Sequence, residues 1–186
     1  MWFRQDLRLA DNPALCAACE RGAIISVYIL DHQGADSWKM DGSSRWWLHH
    51  ALEDLNDSPQ HGLQLFQGDA LTILCDLAAQ TGAAAITWNR CYEPWRIARD
   101  AILKTALKGD GLEVQSFNGS LLWAPWQVLK KDGAPYKVFT PYYRRGCLSV
   151  AAPRRPLDPP KGPNLNKNSV HSLPLKDLNF RPKINW

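Results

Sequence analysis

The chain has 186 residues, a formal net charge of +4, 45% hydrophobic residues and 22% charged residues. This length suits one domain, or one domain with a tail, and the composition is that of an ordinary globular protein. No apolar run approaches the roughly 18 residues of a membrane span, and no charged-then-apolar leader opens the chain. Because the five cysteines show no disulfide framework, we expect a cytoplasmic protein.

Apolar periodicity predicts strands and helices in alternation along the first 117 residues. Short apolar runs predict strands at Trp2–Phe3, 24–30, 63–66, 83–88 and 112–117. Helical spacing predicts helices after the N-cap residue Asn12, over 44–56, over 71–78 up to Gly82, and over about 95–107. Because crossovers between parallel strands are right-handed, this order predicts a Rossmann-like, doubly wound α/β fold. Its five-stranded, mainly parallel sheet carries helices on both faces.

The chain changes character after residue 117. Residues 118–150 are rich in loop-forming residues, and seven of the thirteen prolines fall within 153–186. Proline fixes φ and lacks an N–H group, so we expect an extended, Pro-rich C-terminal linker without regular structure. The predicted organisation is an α/β domain at 1–130 and a linker at 151–186. Between them, the segment 131–150 packs back on the domain or lies at a domain interface.

A charged loop follows the first predicted strand directly. Arg4, Asp6 and Arg8 lie just beyond the carboxyl end of that strand, where open α/β sheets bind ligands. Because guanidinium groups bind carboxylates bidentately, the pattern predicts an ionic cluster of two arginines on one aspartate. An ordinary solvated loop is the alternative interpretation.

A second polar run follows the fourth predicted strand and reads N-R-C-Y-E-P-W-R-I-A-R-D over 89–100. Its loop reaches the same edge of the sheet as the charged loop. Glu93 lies at a helix start, where the helix dipole favours a negative charge. Asn89 and Glu93 are therefore candidates for polar roles in a cleft, with helix capping as the alternative. Arg99 and Asp100 are interpreted as a surface ion pair.

Several motifs of catalysis and metal binding are missing from the sequence. It contains neither of the phosphate-binding patterns G-x-G-x-x-G and G-x-x-x-x-G-K-S/T, nor the nucleophile pattern G-x-S-x-G. Cys16 and Cys19 form a C-x-x-C pair, but their helical context favours two core-lining residues over a redox pair. Without a second C-x-x-C, a zinc site is not expected. The sequence predicts no catalytic residue and no metal ligand in this chain.

Four ordered segments resemble the DNA photolyase/cryptochrome family. They read W-F-R-Q-D-L-R-L-A-D-N-P-A-L at 2–15, R-W-W-L at 45–48, N-R-C-Y-E-P at 89–94 and G-A-P-Y-K-V-F-T-P-Y-Y at 133–143. Together they cover residues 2–150, and the tail from residue 173 resembles the linker into the family's next domain. The resemblance implies that the chain is the N-terminal α/β antenna domain of a deoxyribodipyrimidine photolyase, without the FAD-binding helical domain.

The resemblance implies a division of labour between two domains. In this family a helical C-terminal domain binds FAD, receives UV-damaged DNA and carries out light-driven repair of pyrimidine dimers. The N-terminal domain docks on it and, in many members, holds an antenna chromophore: methenyltetrahydrofolate, an 8-hydroxy-deazaflavin or a flavin. The resemblance therefore implies a monomer whose N-terminal domain has no catalytic site and binds DNA weakly. A cryptochrome-type blue-light receptor and a free-standing nucleotide-binding α/β module remain alternatives, as do cyclobutane and (6-4) lesions as substrates.

The family motifs also assign candidate residues. The antenna cleft would be lined by Arg8, Asp31, Arg45, Asn89, Cys91 and Glu93, with ring faces offered by Trp46, Trp47 and Trp95. Interdomain or structural roles fall to Arg4, Asp6, Arg8 and Asn12. Two positions depart from the family pattern: Cys91 replaces its usual aspartate, and Arg96 replaces a glutamate of folate-binding relatives. Neither familiar antenna mode is therefore supported residue by residue, and the identity of the antenna stays open.

Overall fold

A computed structural model describes residues 1–31, 40–57, 62–161, 164 and 170–181. Within these residues the strands are Trp2–Phe3 (β1), Val27–Leu30 (β2), Gln64–Gln67 (β3), Ala85–Asn89 (β4) and Glu113–Phe117 (β5). The helices between them are Pro13–Arg21 (α1), Gly42–Asp57 (α2), Ala70–Thr81 (α3) and Pro94–Gly109 (α4). The predicted alternation is confirmed, although β2 begins three residues later than its apolar run because the Ile24 N–H bonds to Asn164 instead.

The five strands form one parallel sheet in the order β3-β2-β1-β4-β5. The chain winds outward through β2 and β3 and then crosses the sheet to β4, so α1 and α2 lie on one face and α3 and α4 lie on the other. This confirms the doubly wound fold. The direction of winding switches between β1 and β4, and the loops that follow these two strands diverge there, which opens a crevice at their carboxyl ends.

Each face of the sheet carries its own hydrophobic layer. Adjacent strand residues point to opposite faces, so Phe3 belongs to one layer and Trp2 to the other. The Phe3 layer contains α1 and α2, through residues that include Leu15, Leu48, Leu52 and Leu55. The Trp2 layer contains α3 and α4, through residues that include Leu74, Leu77, Leu103 and Leu107. In the second layer the Trp2 and Trp88 rings meet edge to face at 5.7 Å.

The helix ends follow local sequence signals. The Asn12 side chain accepts the Leu15 N–H at 3.1 Å, with Pro13 as the first helical residue, so the predicted N-cap of α1 is confirmed. Helix α3 ends at Gly82, whose φ of 66° lies in the left-handed region that favours glycine. None of the described helices has both the length and the apolar character of a membrane span.

The chain beyond β5 is irregular until a short helical stretch that consists of Phe139–Pro141 (α), Tyr142–Gly146 (π) and Cys147–Ser149 (3-10). We call residues 170–181 the strap. The Leu173 N–H donates to the Leu65 carbonyl at 2.8 Å, and the Ser172 hydroxyl accepts the Leu65 N–H at 2.9 Å. The strap thereby covers the outer side of β3, which is an edge strand of the sheet.

The strap corrects one expectation from composition. Its residues Leu175–Leu178 form a 3-10 helix, and Leu178 and Phe180 are buried in the Phe3 layer against α1 and α2. The expectation of a C-terminal segment without regular structure is therefore wrong here, because these apolar side chains bury on the domain instead of staying in solvent. Other parts of the expected linker, at 162–163, 165–169 and 182–186, lie outside the described residues.

Candidate functional site

A cleft of about 1620 Å³ opens at the carboxyl edge of the sheet, between α2 and α4. Its floor is formed at the strand ends by Trp2, Arg4, Tyr28 and Asp31. The α2 wall presents Trp46, Trp47, His50 and Asp54, and the α4 wall presents Glu93, Trp95, Arg96 and Arg99. The cleft lies at the switch point of the sheet, which is the usual ligand site of doubly wound folds.

Arg4 forms a buried ion pair beneath this cleft. Its Nη1 donates to both carboxylate oxygens of Asp100 at 2.8 Å, and its Nη2 donates to the Asn89 carbonyl. The two charged side chains are only 3% and 8% exposed. The predicted ionic cluster within the charged loop is wrong: Arg4 reaches across to α4, because a buried guanidinium requires a carboxylate at bidentate distance.

Asp6 serves instead as the acceptor of a buried hydrogen-bond network. Its Oδ1 accepts the Arg4 backbone N–H at 2.9 Å, and its Oδ2 accepts the side-chain amides of Asn12 and Asn89. The Asn89 amide also donates to Asn12 Oδ1 at 2.7 Å. Three distant segments therefore meet at this network: the loop after β1, the start of α1 and the end of β4. A Cβ on Gly119 would lie 2.5 Å from Asn89 Cγ, so only glycine fits beside it.

Arg8 lines the cleft and holds the loops around it together. Its Nε donates to the Ala10 carbonyl at 3.2 Å, and its Nη2 donates to the Asp11 carbonyl at 2.9 Å and to the Gly119 carbonyl. The guanidinium of Arg8 thus ties the charged loop to the segment after β5, with backbone carbonyls as its partners.

Arg99 and Asp100 are site residues that the sequence interpretation placed on the surface. Arg99 Nη1 lies 3.2 Å from Asp31 Oδ2, and its Nη2 lies 3.3 Å from Asp100 Oδ1. The Arg99 guanidinium also stacks on the rings of Trp2 and Trp95, at 5.1 and 5.3 Å. The surface interpretation is wrong because Asp100 lies three residues before the buried Leu103, on the buried face of α4. That helical spacing was the available signal.

The structure separates the six residues predicted for the antenna cleft. Arg8, Asp31 and Glu93 line it, whereas Arg45, Asn89 and Cys91 are not among the described residues that do. Arg45 lies against the strap: its Nη2 donates to the Asn179 carbonyl at 2.8 Å, and its guanidinium stacks 5.7 Å from the Phe180 ring centre. Asn89 belongs to the buried network. Cys91 is buried, and its Sγ accepts from Arg96 Nη1 at 3.4 Å.

Burial and charge shift two acidic groups of the cleft. Burial raises the pKa of the Tyr28 phenol to about 12, with Arg96 opposing the shift, so Tyr28 stays neutral. Burial also raises the pKa of the Glu93 carboxyl. This effect is outweighed by hydrogen bonds to the carboxylate, including one from Gln5, and by the charges of Arg96 and Arg4. The pKa of Glu93 is therefore below its ordinary value, and Glu93 is an anion at neutral pH.

The cleft combines flat rings with unused hydrogen-bond donors. Trp46 and Trp47 are 48% and 71% exposed on its α2 wall. Trp2 Nε1 and the Nε atoms of Arg4, Arg96 and Arg99 are buried without a hydrogen-bond partner among the described residues. Such a site is suited to bind a planar, acceptor-rich ligand by stacking and hydrogen bonding.

Fold and cleft together define a doubly wound α/β domain with an open cleft at the switch point of its parallel sheet. Residues 1–161 match the family model described as DNA photolyase. The chain belongs to the DNA photolyase family, which confirms the resemblance drawn from its motifs.

Individual relatives include both photolyases and cryptochromes. The chain is 45% identical to the deoxyribodipyrimidine photo-lyase of Agrobacterium fabrum over 191 aligned residues, which cover 100% of this chain and 39% of the relative. It is 37% identical to cryptochrome-1 of Arabidopsis thaliana, across 87% of this chain and 24% of that protein. The crystal structure of a bacterial class III photolyase from Agrobacterium tumefaciens matches with a TM-score of 0.89 and 42% identity, covering 98% of this chain and 38% of that one. The chain thus spans about two fifths of the length of these two photolyases.

Proposed function

We propose that this chain is the N-terminal antenna domain of a light-dependent DNA-repair photolyase. The observation that carries the proposal is the aromatic cleft at the sheet's switch point, in a chain of the DNA photolyase family. In the proposal, FAD, UV-damaged DNA and the repair of pyrimidine dimers belong to the rest of the protein. This domain contributes no catalytic group and binds DNA weakly. The protein works in the cytoplasm as a monomer.

A cryptochrome-type light receptor is the second candidate, and the 37% identity to the Arabidopsis cryptochrome supports it. The 45% identity to a photolyase across the whole chain favours repair. Both findings favour the family over a free-standing nucleotide-binding module. Light-dependent repair of a dimer-containing oligonucleotide by the full-length protein separates the two candidates, because a receptor without repair activity leaves the dimers intact.

The cleft fits an antenna chromophore in size and chemistry. Its volume of about 1620 Å³ admits a tricyclic or pteridine ring system, and Trp46, Trp47 and Trp95 offer ring faces on both walls. Trp2 Nε1 and Arg4 Nε are buried donors that have no hydrogen-bond acceptor among the described residues. When bound, an antenna absorbs near-ultraviolet or blue light and passes the excitation to the flavin; Asp31 and Glu93 would orient it.

An exposed apolar face supports docking of the remaining part of the protein. Its side chains lie between β5 and residue 148 and include Leu122, Trp126, Val138, Phe139, Tyr143 and Leu148. The Phe139 and Tyr143 rings stack there at 5.9 Å, with no more than partial burial. Large exposed apolar patches mark interaction sites, and photolyase relatives are more than twice as long as this chain. We assign the face, including the predicted segment 131–150, to the interface with the FAD domain.

The absorption spectrum of the full-length protein tests the antenna. We expect a near-ultraviolet or blue band in addition to the bands of FAD, and its loss in Trp47→Ala, since Trp47 is the most exposed ring of the cleft. Ile102→Ala, an exposed apolar substitution on the outer side of α4, is the matched control and should keep the band. A wild-type spectrum of FAD alone would contradict the proposal.

Asp6→Ala tests the buried network and its role in docking. The change leaves the Asn12 and Asn89 amides short of an acceptor, and we expect a loss of about 2–3 kcal/mol in the free energy of unfolding. If the network also positions the interdomain surface, the full-length variant loses FAD as well. Thermal melting and flavin occupancy measure both effects. The exposed Asp76→Ala on α3 should leave them unchanged, and an Asp6→Ala protein with normal melting temperature and flavin content would refute this role.

A further inference from the structure

Arg96 is a cleft cation whose hydrogen-bonding capacity is largely unused. Its guanidinium stacks on Trp95 at 4.7 Å, and its Nη1 contacts only the weak acceptor Cys91 Sγ at 3.4 Å. Glu93 is the nearest carboxylate, but its Oε1 lies 3.6 Å from Arg96 Nε, beyond hydrogen-bond distance. Glu93 Oε1 already accepts from Gln5 Nε2 at 2.8 Å. The Arg96 fork is therefore open to an incoming acceptor.

The other arginines of the cleft already have partners. Arg4 binds both oxygens of Asp100, Arg99 bridges Asp31 and Asp100, and Arg8 is bonded to backbone carbonyls. Among the described arginines of this cleft, Arg96 alone has no hydrogen bond to an oxygen acceptor, and its carboxylate contact is the 3.6 Å ion pair with Glu93. A guanidinium held flat on a ring, partly exposed and without a bidentate partner, is suited to bind a carboxylate or phosphate.

The surroundings of Arg96 also favour an anion. Arg96 lies in the first turn of the 16-residue helix α4, where backbone N–H groups are free and the dipole is positive. The N-cap residue Glu93 makes no capping hydrogen bond among the described residues. Independently, Trp2 and Arg4 line the same cleft, are more than nine-tenths buried, and keep unpartnered Nε1–H and Nε–H groups. On the opposite side of the cleft, Asp54 of α2 and Asp41 just before it contribute carboxylates, whereas α4 contributes Arg96 and Arg99 beside Glu93.

We propose that Arg96 binds the acidic group of a ring-bearing chromophore, so that this cleft selects antennas with a phosphate or carboxylate tail over uncharged ones. The ring stacks among Trp46, Trp47 and Trp95, and the tail points to the start of α4. This inference rests on the proposed antenna function, which it refines. It places the anion-binding role on Arg96, because Arg45 lies against the strap instead.

A pair of flavins that differ only in the tail tests the selection. Riboflavin and FMN share one ring system, and FMN adds a phosphate; methenyltetrahydrofolate, with its carboxylates, is the second acidic probe. Calorimetric titration into the FAD-loaded full-length protein should show tighter binding of FMN than of riboflavin. Arg96→Met keeps the aliphatic stem on Trp95 and should weaken FMN about tenfold while changing riboflavin less than about twofold. Arg96→Lys should recover part of the loss.

The outcomes separate this inference from the proposed function. Arg21→Met, which breaks an exposed ion pair with Glu113 outside the cleft, is the matched control and should change neither affinity. Equal effects of Arg96→Met on FMN and riboflavin, or no effect on either acidic probe, would overturn the role of Arg96 and leave the antenna function standing. Dependence on Arg96 for methenyltetrahydrofolate alone would support a carboxylate tail. If none of the three probes binds the wild type, the selection of acidic tails by Arg96 fails, and the antenna function fails with it when the wild-type spectrum shows FAD alone.

Discussion

Replacing Asp100 with alanine is expected to lower the free energy of unfolding by about 3–5 kcal/mol, because the change leaves a buried guanidinium without its counter-ion. Asp100 accepts two hydrogen bonds from Arg4 Nη1, both at 2.8 Å, and a third contact from Arg99 at 3.3 Å. Arg4 is 6% exposed and also stacks on Trp2, so its guanidinium is largely shielded from water in the folded protein. Urea unfolding followed by tryptophan fluorescence measures the loss.

Two comparisons separate charge from packing in this prediction. Glu113→Ala breaks the exposed pair with Arg21 and should cost far less stability, because surface ion pairs in water contribute little. The double variant Arg4→Met, Asp100→Leu removes both charges and should regain much of the stability that Asp100→Ala loses, since apolar replacement of a whole buried pair is often tolerated. A cost for Asp100→Ala as small as that of Glu113→Ala would show that the buried pair contributes little.

The fold could be predicted from local sequence patterns, whereas the partners in the buried ion pairs could not. Apolar runs and helical spacing are set by neighbouring residues, so they predicted the five strands of the sheet and the four helices that connect them. The partner of Arg4 lies 96 residues away, and Asp6 sits two residues away in sequence. Sequence proximity suggested the wrong carboxylate, because burial decides which charges pair and burial is a property of the packed domain. The helical register of α4 was the one local clue to Asp100.

The position of the cleft could be predicted from the sequence, but only some of the side chains that line it could be. Topology alone places the loops after β1, β2 and β4 at one edge, and Arg8, Asp31 and Glu93 line the cleft there. Asn89 is a strand residue whose side chain turns into the buried network, and Arg45 turns to the strap. The direction of a side chain at an element end depends on its available partners, which no sequence spacing displays. For the same reason, sequence spacing did not show that the Arg96 side chain lines the cleft.

Truncating Phe180 to alanine is expected to lower the free energy of unfolding by about 3–5 kcal/mol, the cost of removing a large ring from a packed core. Phe180 is 3% exposed in the Phe3 layer, and Arg45 of α2 stacks on its ring. Proline content indicated only a linker here, because composition reports backbone restriction and not where an apolar side chain is buried. If the strap belongs to the domain, its loss also frees β3, and the Leu65 and Leu173 amides should lose protection in hydrogen exchange.

Arg45 connects the strap to the α2 wall of the cleft. Arg45 binds Asn179, while its neighbours Trp46 and Trp47 line the α2 wall, so a loosened strap should loosen that wall. Ile102→Ala, at a 65% exposed position on α4, is the control and should change stability by no more than about 0.5 kcal/mol. A Phe180→Ala protein with unchanged stability and unchanged amide protection at Leu65 would mean that the strap is a passive linker. Loss of both would make residues 170–181 part of the folded domain, and a truncation before the strap would then loosen the α2 wall of the cleft as well as removing the tail.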